Sequence, residues 1–269
     1  MRKFWRIVDM DKLRNLFGRE FRDALLRPWI WGSAVIFAAG SIGLLWATGD
    51  SRKALAAVTG LFPYLVSLLG TLGAAIEMAA EKGFFELVLP QPISRMIVFQ
   101  AKFLAFSLAF GSALLIGLLP LLFAAFEAVG ALVLSLLVGA ILALACISIG
   151  SGFLFCLFSR ERVAAVGAVL VLWLYLAFLH DLVILWACKM GGGPAPDLLV
   201  ISLILINPIE VARLAVVLQL DIAALLGITG AILSRFFSGS GLIFCGMALA
   251  LWIVLLNVLG SWIFSRKDF

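Results

Sequence analysis

The sequence predicts an all-α integral membrane protein of six transmembrane helices. It also predicts an amino-terminal amphipathic helix on the membrane surface, a short amphipathic helix between spans two and three, and outward-facing helices between spans five and six. Three observations support this. The 269 residues are 64% hydrophobic and only 13% charged, far from the balance of a soluble domain. The apolar residues gather into several runs long enough to cross a bilayer. The basic residues cluster at the ends of those runs, as membrane topology requires, so the net charge of +5 is not read as a nucleic-acid-binding face. Six spans use nearly the whole chain, leaving one transmembrane domain over 1–269 and no room for a separate catalytic domain.

Residues 4–27 set Leu13, Leu16, Phe17, Phe21 and Leu25 at helical spacing, with Lys12, Arg14, Arg19, Glu20, Arg22 and Asp23 on the other side, so that 1–28 reads as an interfacial helix. A cleaved signal peptide is not expected, because a long charged stretch comes before the first apolar run and no small-residue cleavage pattern ends a short apolar core. Pro28 breaks the helix, and Trp29 and Trp31 stand where an aromatic belt anchors the first span, 30–48. A turn at Asp50, Ser51, Arg52 and Lys53 leads to the second span, 54–80, which Pro63 is placed to kink. Glu77 lies in its last turn. An acid there is costly against lipid, so it is expected to face protein or water, or to reach the interface.

Residues 81–95 are the longest polar-punctuated interruption between the early spans. Lys82 and Glu86 support each other one helical turn apart, and Pro90 and Pro92 stop the helix. Phe84, Phe85, Leu87, Val88 and Leu89 are too apolar to stay bare, so they need a partner surface or the membrane interface as cover.

The third span runs over 96–126, with Lys102 expected to snorkel to the side of Arg95 and Glu127 marking the exit. The fourth, 129–158, carries Gly139, Ala140, Ala143, Ala145, Gly150 and Gly152, small residues that let membrane helices approach closely. Ser159, Arg160, Glu161 and Arg162 form a tight charged loop before the fifth span, 163–187. In the region 188–240, residues 191–196 are a Gly- and Pro-rich break, and 198–206 is apolar but too short to cross alone. Asn207-Pro208 ends that run, and Glu210, Arg213, Gln219 and Asp221 interrupt the next one, so 197–206 and 209–233 read as helices that lie on or dip into the membrane. The last span is 241–264, with Arg266 and Lys267 beyond it. With the amino end inside, fifteen of the 20 Lys and Arg residues fall inside and five outside, which places both termini in the cytoplasm and 188–240 outside.

The chemistry is sparse. No Gly-x-x-x-x-Gly-Lys-Ser/Thr, His-Glu-x-x-His or Gly-x-Ser-x-Gly motif occurs, so the chain is expected neither to cradle a nucleotide in the standard way nor to be catalytic. His180 is the single histidine and adjoins Asp181 a quarter-turn away, which reads as a polar pair packed in the bundle or as a proton or metal relay. Cys188 with Met190, and Cys245 with Met247, offer thiolate and thioether ligands of the kind that suit cuprous copper. Residues two apart on a helix point nearly opposite ways, so a copper site needs ligands from both segments. Ordinary packing, or a disulfide between Cys188 and Cys245, are the alternatives. The four cysteines show no zinc-type spacing.

Arg19-Glu20-Phe21-Arg22-Asp23 in a basic amphipathic helix, a second span ending Glu77-x-x-x-Glu81-Lys82-Gly83, and the string from Phe85 to Arg95 together resemble the permease subunits of type-2 ABC transporters. More narrowly, Asn207 to Leu214 and Gly230 to Phe237 are similar to the branch of that family that serves nitrous oxide reductase maturation. The family implies a non-catalytic, homodimeric permease of the bacterial inner membrane, with ATP and Mg bound by a separate ATPase subunit. That subunit docks on a cytoplasmic coupling helix, here Glu81, Lys82, Gly83, Phe84, Phe85, Glu86, Leu87, Pro90, Gln91, Pro92, Ser94 and Arg95. The branch implies a periplasmic copper-handling partner, facing Asn207, Pro208, Glu210 and Arg213, and assembly of a copper cluster. Two rivals stand beside it: an ABC exporter of a lipid, drug or small solute, and an intramembrane enzyme. The second is disfavoured because His180, Asp181, Glu77 and the cysteines show no convergent spacing.

Overall fold

Long apolar runs in a bilayer can satisfy their backbone groups only within helices or closed barrels, and every regular element among the described residues is helical. The computed structural model describes residues 2–81, 94–159, 161–190, 197–218 and 241–267. The elements are α1 (Arg2–Leu25), α2 (Pro28–Thr48), α3 (Ser51–Ala80), α4 (Arg95–Phe158), α5 (Arg162–Leu174), a π-helical turn (Tyr175–Leu179), α6 (His180–Met190), α7 (Asp197–Ile206), α8 (Pro208–Val217) and α9 (Gly241–Arg266). Among the described residues, five helices are long and apolar enough to cross a membrane: α2, α3, α4, the continuous stretch Arg162–Trp186, and α9.

The longest of these is a hairpin. A helix of 64 residues would extend roughly 96 Å, about three times the hydrocarbon core. It folds back at Gly130, where φ is 80° and ψ is 165°, a region essentially reserved for glycine. The two arms face each other: the rings of Phe99 and Phe106 lie 6.2 and 5.9 Å from that of Phe153. The short connection expected after Glu127 is thus a sharp turn centred on one residue. Arg52, in the first turn of α3, donates from Nε and Nη2 to the Ala128 carbonyl at 3.0 and 2.8 Å, tying α3 to this turn. Gly130→Val is expected to cost about 1–3 kcal/mol through backbone strain alone, since no atom lies within 4 Å of the added Cβ; a lower unfolding temperature in detergent is the readout.

Helix α4 packs against α1, α2, α3 and α9 and forms the centre of the core. Among the small residues of its second arm, Gly152 admits the closest approach, because a Cβ there would overlap the Thr71 carbonyl oxygen and lie 2.8 Å from the Ala74 Cβ. Gly150 packs on Leu256, whereas Gly139 faces open space, so the expected close contact holds for only part of the stripe.

Of the region 188–240, the described helices α7 and α8 dip into the bundle. Tyr64 on α3 hydrogen-bonds Glu210 on α8, and Tyr64 lies about 20 Å along α3 from Ser51 by helical rise. A chain reversal at such depth needs its broken backbone covered by protein, and three side chains supply the cover. Asn207 accepts from the Ile209 N–H as N-cap of α8 and donates to the Leu176 carbonyl at 2.7 Å, where the π turn widens the ladder. Trp252 Nε1 donates to the Leu205 carbonyl at 3.2 Å, and His180 Nε2 lies 2.9 Å from that of Leu203. A carbonyl only accepts, so Nε2 carries the proton in that contact. The helix expected over 209–233 is described as far as Val217, and 219–240 lie outside the described residues.

Candidate functional site: an ionic joint at the root of residues 81–95

Most of the expected docking stretch, 82–93, lies outside the described residues, but its two ends are described. Glu77 and Glu81 are one helical turn apart at the end of α3, so both reach the same face. Lys102 sits two turns into α4 and is 2% exposed. It does not snorkel toward water as expected, because carboxylates come to it within the bundle. Lys102 Nζ donates to Glu20 Oε2 of α1 at 2.7 Å and also to Glu81 Oε2. Glu81 uses its other oxygen to accept from Arg27 Nη2 at 3.4 Å. Arg27 Nε lies 3.2 Å from Glu77 Oε2, at ion-pair distance without hydrogen-bond alignment.

Glu20 belongs by pattern to the polar side of α1, yet it is 4% exposed, because α1 lies against α4 along that edge. Trp29 is likewise not a lipid-facing belt residue. Its indole donates to Glu77 Oε1 at 3.1 Å, and its ring packs over Gly73. Trp31 alone fits the belt, half exposed, with its N–H on the Leu25 carbonyl. The expectation that Glu77 faces protein is met.

The far end of the segment is anchored elsewhere. Arg95 donates to the carbonyls of Lys267 at 2.7 Å and Ser265 at 3.5 Å, a favourable place for a cation at the carboxyl end of α9. Lys267 Nζ in turn donates to the Leu157 carbonyl. One turn beyond Arg95, Gln100 and Asn257 exchange amide hydrogen bonds, with Ser261 accepting from Gln100 at 3.0 Å, joining α4 to α9. Ser94 is the N-cap of α4.

Residues expected to face an outer partner are partly internal. Asn207 and Pro208 are buried, while Glu210 and Arg213 keep some exposure. Arg213 Nη1 donates to the Tyr64 hydroxyl oxygen at 2.8 Å and to Glu210 Oε1 at 3.1 Å, and the Tyr64 hydroxyl donates to the same carboxylate oxygen at 2.8 Å. His180 and Asp181 do not work as a packed pair, since His180 is buried and Asp181 exposed. Cys245 is buried and Met247 exposed, as opposite directions on one helix dictate; the side chains of Cys188 and Met190 are outside the described set. Among the described residues no group of His, Cys, Asp and Glu is arranged to hold a metal.

A cavity of about 350 Å³ lies between α3, the second arm of α4, Trp173, Pro208 and α9. Ser67, Thr71, Ser148 and Ser151 line it but donate to carbonyls of their own helices, which leaves the cavity apolar.

The sequence carries a partial signal for the ionic joint: two acids on one face of a helix end, and a lysine two turns inside the next apolar run, are complementary charges at similar depth, but nothing local says that they meet. No pattern within α1 marks Glu20 as their third member.

No known family profile matches the chain. It is 28% identical over 267 residues to the probable ABC transporter permease protein NosY of Pseudomonas aeruginosa, covering 93% of this chain and 96% of that protein. It is 26% identical over 223 residues to the probable ABC transporter permease protein NosY of Stutzerimonas stutzeri, covering 76% of this chain and 81% of that protein. With five bilayer-length apolar helices among the described residues and near end-to-end similarity to such proteins, this chain is similar to the ABC transporter permease proteins named NosY.

Proposed function

We propose that this permease couples ATP hydrolysis on a separate ATPase to a change in bundle packing across the bacterial inner membrane, in the service of copper-site assembly in nitrous oxide reductase. Two copies of the permease and two of the ATPase form the complex, and ATP and Mg stay on the ATPase. The observation that carries this reading is the anchoring of residues 81–95. An apolar segment in need of cover is rooted at Glu81 in α1, α2 and α4, and at Arg95 in α9, so force applied there is delivered to most of the bundle.

The hairpin at Gly130 supports six crossings, by α2, α3, the two arms of α4, Arg162–Trp186 and α9. An even number returns both termini to one side, and the excess of Lys and Arg there supports reading that side as the cytoplasm. The chain is then a single domain over 1–269, with 1–28 at the cytoplasmic interface, 81–95 as the coupling helix and 188–240 on the periplasmic side. The copper role rests on the resemblance carried by 207–214 and 230–237. Glu210 and Arg213, still partly exposed, are the residues offered to a periplasmic copper-handling partner. Copper is assigned to that partner; a site in this chain would need ligands from both Cys-x-Met elements, and the side chains of Cys188 and Met190 lie outside the described residues.

Replacement of Phe84, Phe85 and Leu87 together by serine is expected to lower co-purification of the ATPase at least tenfold, roughly the loss of one or two buried apolar anchors, while the permease still inserts. Undiminished co-purification would falsify the docking assignment.

A second reading, export of a hydrophobic cargo, is favoured by the apolar cavity of about 350 Å³. A photoactivatable acyl probe that labels the lining near Thr71 or Ser148 in an ATP-dependent manner would support it; labelling indifferent to ATP would remove it.

A further inference from the structure

One buried ammonium holds two separate parts of the chain. Lys102 takes a carboxylate from α1, Glu20, and a second from the residue that roots the 81–95 segment, Glu81. Arg27 bridges Glu81 and Glu77 beside it, so among the described residues three carboxylates share two cations. Each of the two cations is already committed to two acids. A carboxylate pulled away from this cluster leaves a charge stranded in a low-dielectric site, so moving the members together costs less than separating them. Helix α1 packs chiefly on α4, and Glu20–Lys102–Glu81 carries a polar link from it to the end of α3.

We infer that Lys102 is the joint through which displacement of residues 81–95 reaches α1, so that the amphipathic helix travels with that segment instead of resting passively on the membrane. The functional consequence rests on the proposed docking of an ATPase at 81–95, whereas the joint itself is a property of the isolated permease. Glu20, Glu81 and Lys102 are positioning residues in this scheme. Arg95, tied to the end of α9, belongs to a different attachment.

Hydrogen–deuterium exchange on the full-length permease in nanodiscs tests the joint without any ATPase. Glu81→Gln is expected to speed exchange of the amides of residues 13–25 by roughly tenfold, the loss of one charge-assisted contact, although the substitution lies on another helix. Arg95→Gln is expected to leave those amides at wild-type protection. Equal protection of α1 in wild type and Glu81→Gln overturns the inference, and Glu20→Gln serves as the second variant should Glu81→Gln fail to insert. In the complex, spin labels at the exposed positions Asn15 and Trp46 are expected to change separation when a non-hydrolysable ATP analogue binds, and Glu20→Gln is expected to abolish that change while the ATPase still co-purifies. A change that persists in Glu20→Gln also overturns the joint. Failure of the wild-type permease to bring down an ATPase defeats the docking assignment instead, and the exchange measurement then still decides the joint.

Discussion

Lys102→Met is expected to destabilise the solubilised protein by about 3–5 kcal/mol, the range for removing one partner from a buried ion pair. The lysine is nearly inaccessible and holds two carboxylates, so methionine leaves the buried Glu20 and the half-buried Glu81 with less compensation. Surface ion pairs are worth far less, at about 0–1 kcal/mol, and the Arg19–Asp23 pair on the exposed face of α1 is of that kind. Thermal unfolding in detergent should therefore separate Lys102→Met sharply from Asp23→Asn. The triple replacement Glu20→Leu, Glu81→Gln and Lys102→Met is expected to recover most of the loss, because a fully apolar or neutral filling removes the stranded charges as well as the pair. No recovery in the triple variant would mean that Lys102 contributes through packing over Phe106 instead of through charge.

Gly152→Val is the second large effect. The new Cβ overlaps the backbone oxygen of Thr71, and backbone cannot rotate away as a flexible side chain can. The second arm of α4 and α3 must move apart, at about 1–3 kcal/mol or more for overpacking a tight helix crossing. The separation also opens the ring of residues around Thr71 and Ser148 that bounds the apolar cavity. Gly139→Val, on the same arm but facing open space, is expected to leave the unfolding temperature unchanged. Equal unfolding temperatures for the two variants would show that α3 and α4 do not meet at Gly152.

The helices themselves were legible. Asp197–Ile206 matches the sequence reading at both ends, and α1, α2, α3 and α9 begin or end within a few residues of it, because apolar runs bounded by Pro, Gly and charge leave little choice in a bilayer. The corrections fall on residues whose meaning depends on what lies across from them. Lys102 inside an apolar run reads as a snorkelling cation, and Trp29 at the start of a span reads as a belt residue. Each turned inward because an acid on another helix was waiting at the same depth. The partners of these contacts are far apart in sequence, Glu20 from Lys102 and Trp29 from Glu77, and no local period encodes such a meeting.

Composition and hydrophobic periodicity alone determined that this is a multi-helix membrane protein and where most of its helices lie, since the cost of an unpaired backbone in lipid acts on each segment independently of its neighbours. Tertiary structure alone decided that Gly130 turns one helix into two arms, that Asn207, His180 and Trp252 cover a chain reversal inside the bundle, and that Glu20, Arg27, Glu77, Glu81 and Lys102 meet. Buried charge and freed carbonyls are satisfied only by whatever side chain the packing brings within reach, and that is settled when the helices dock.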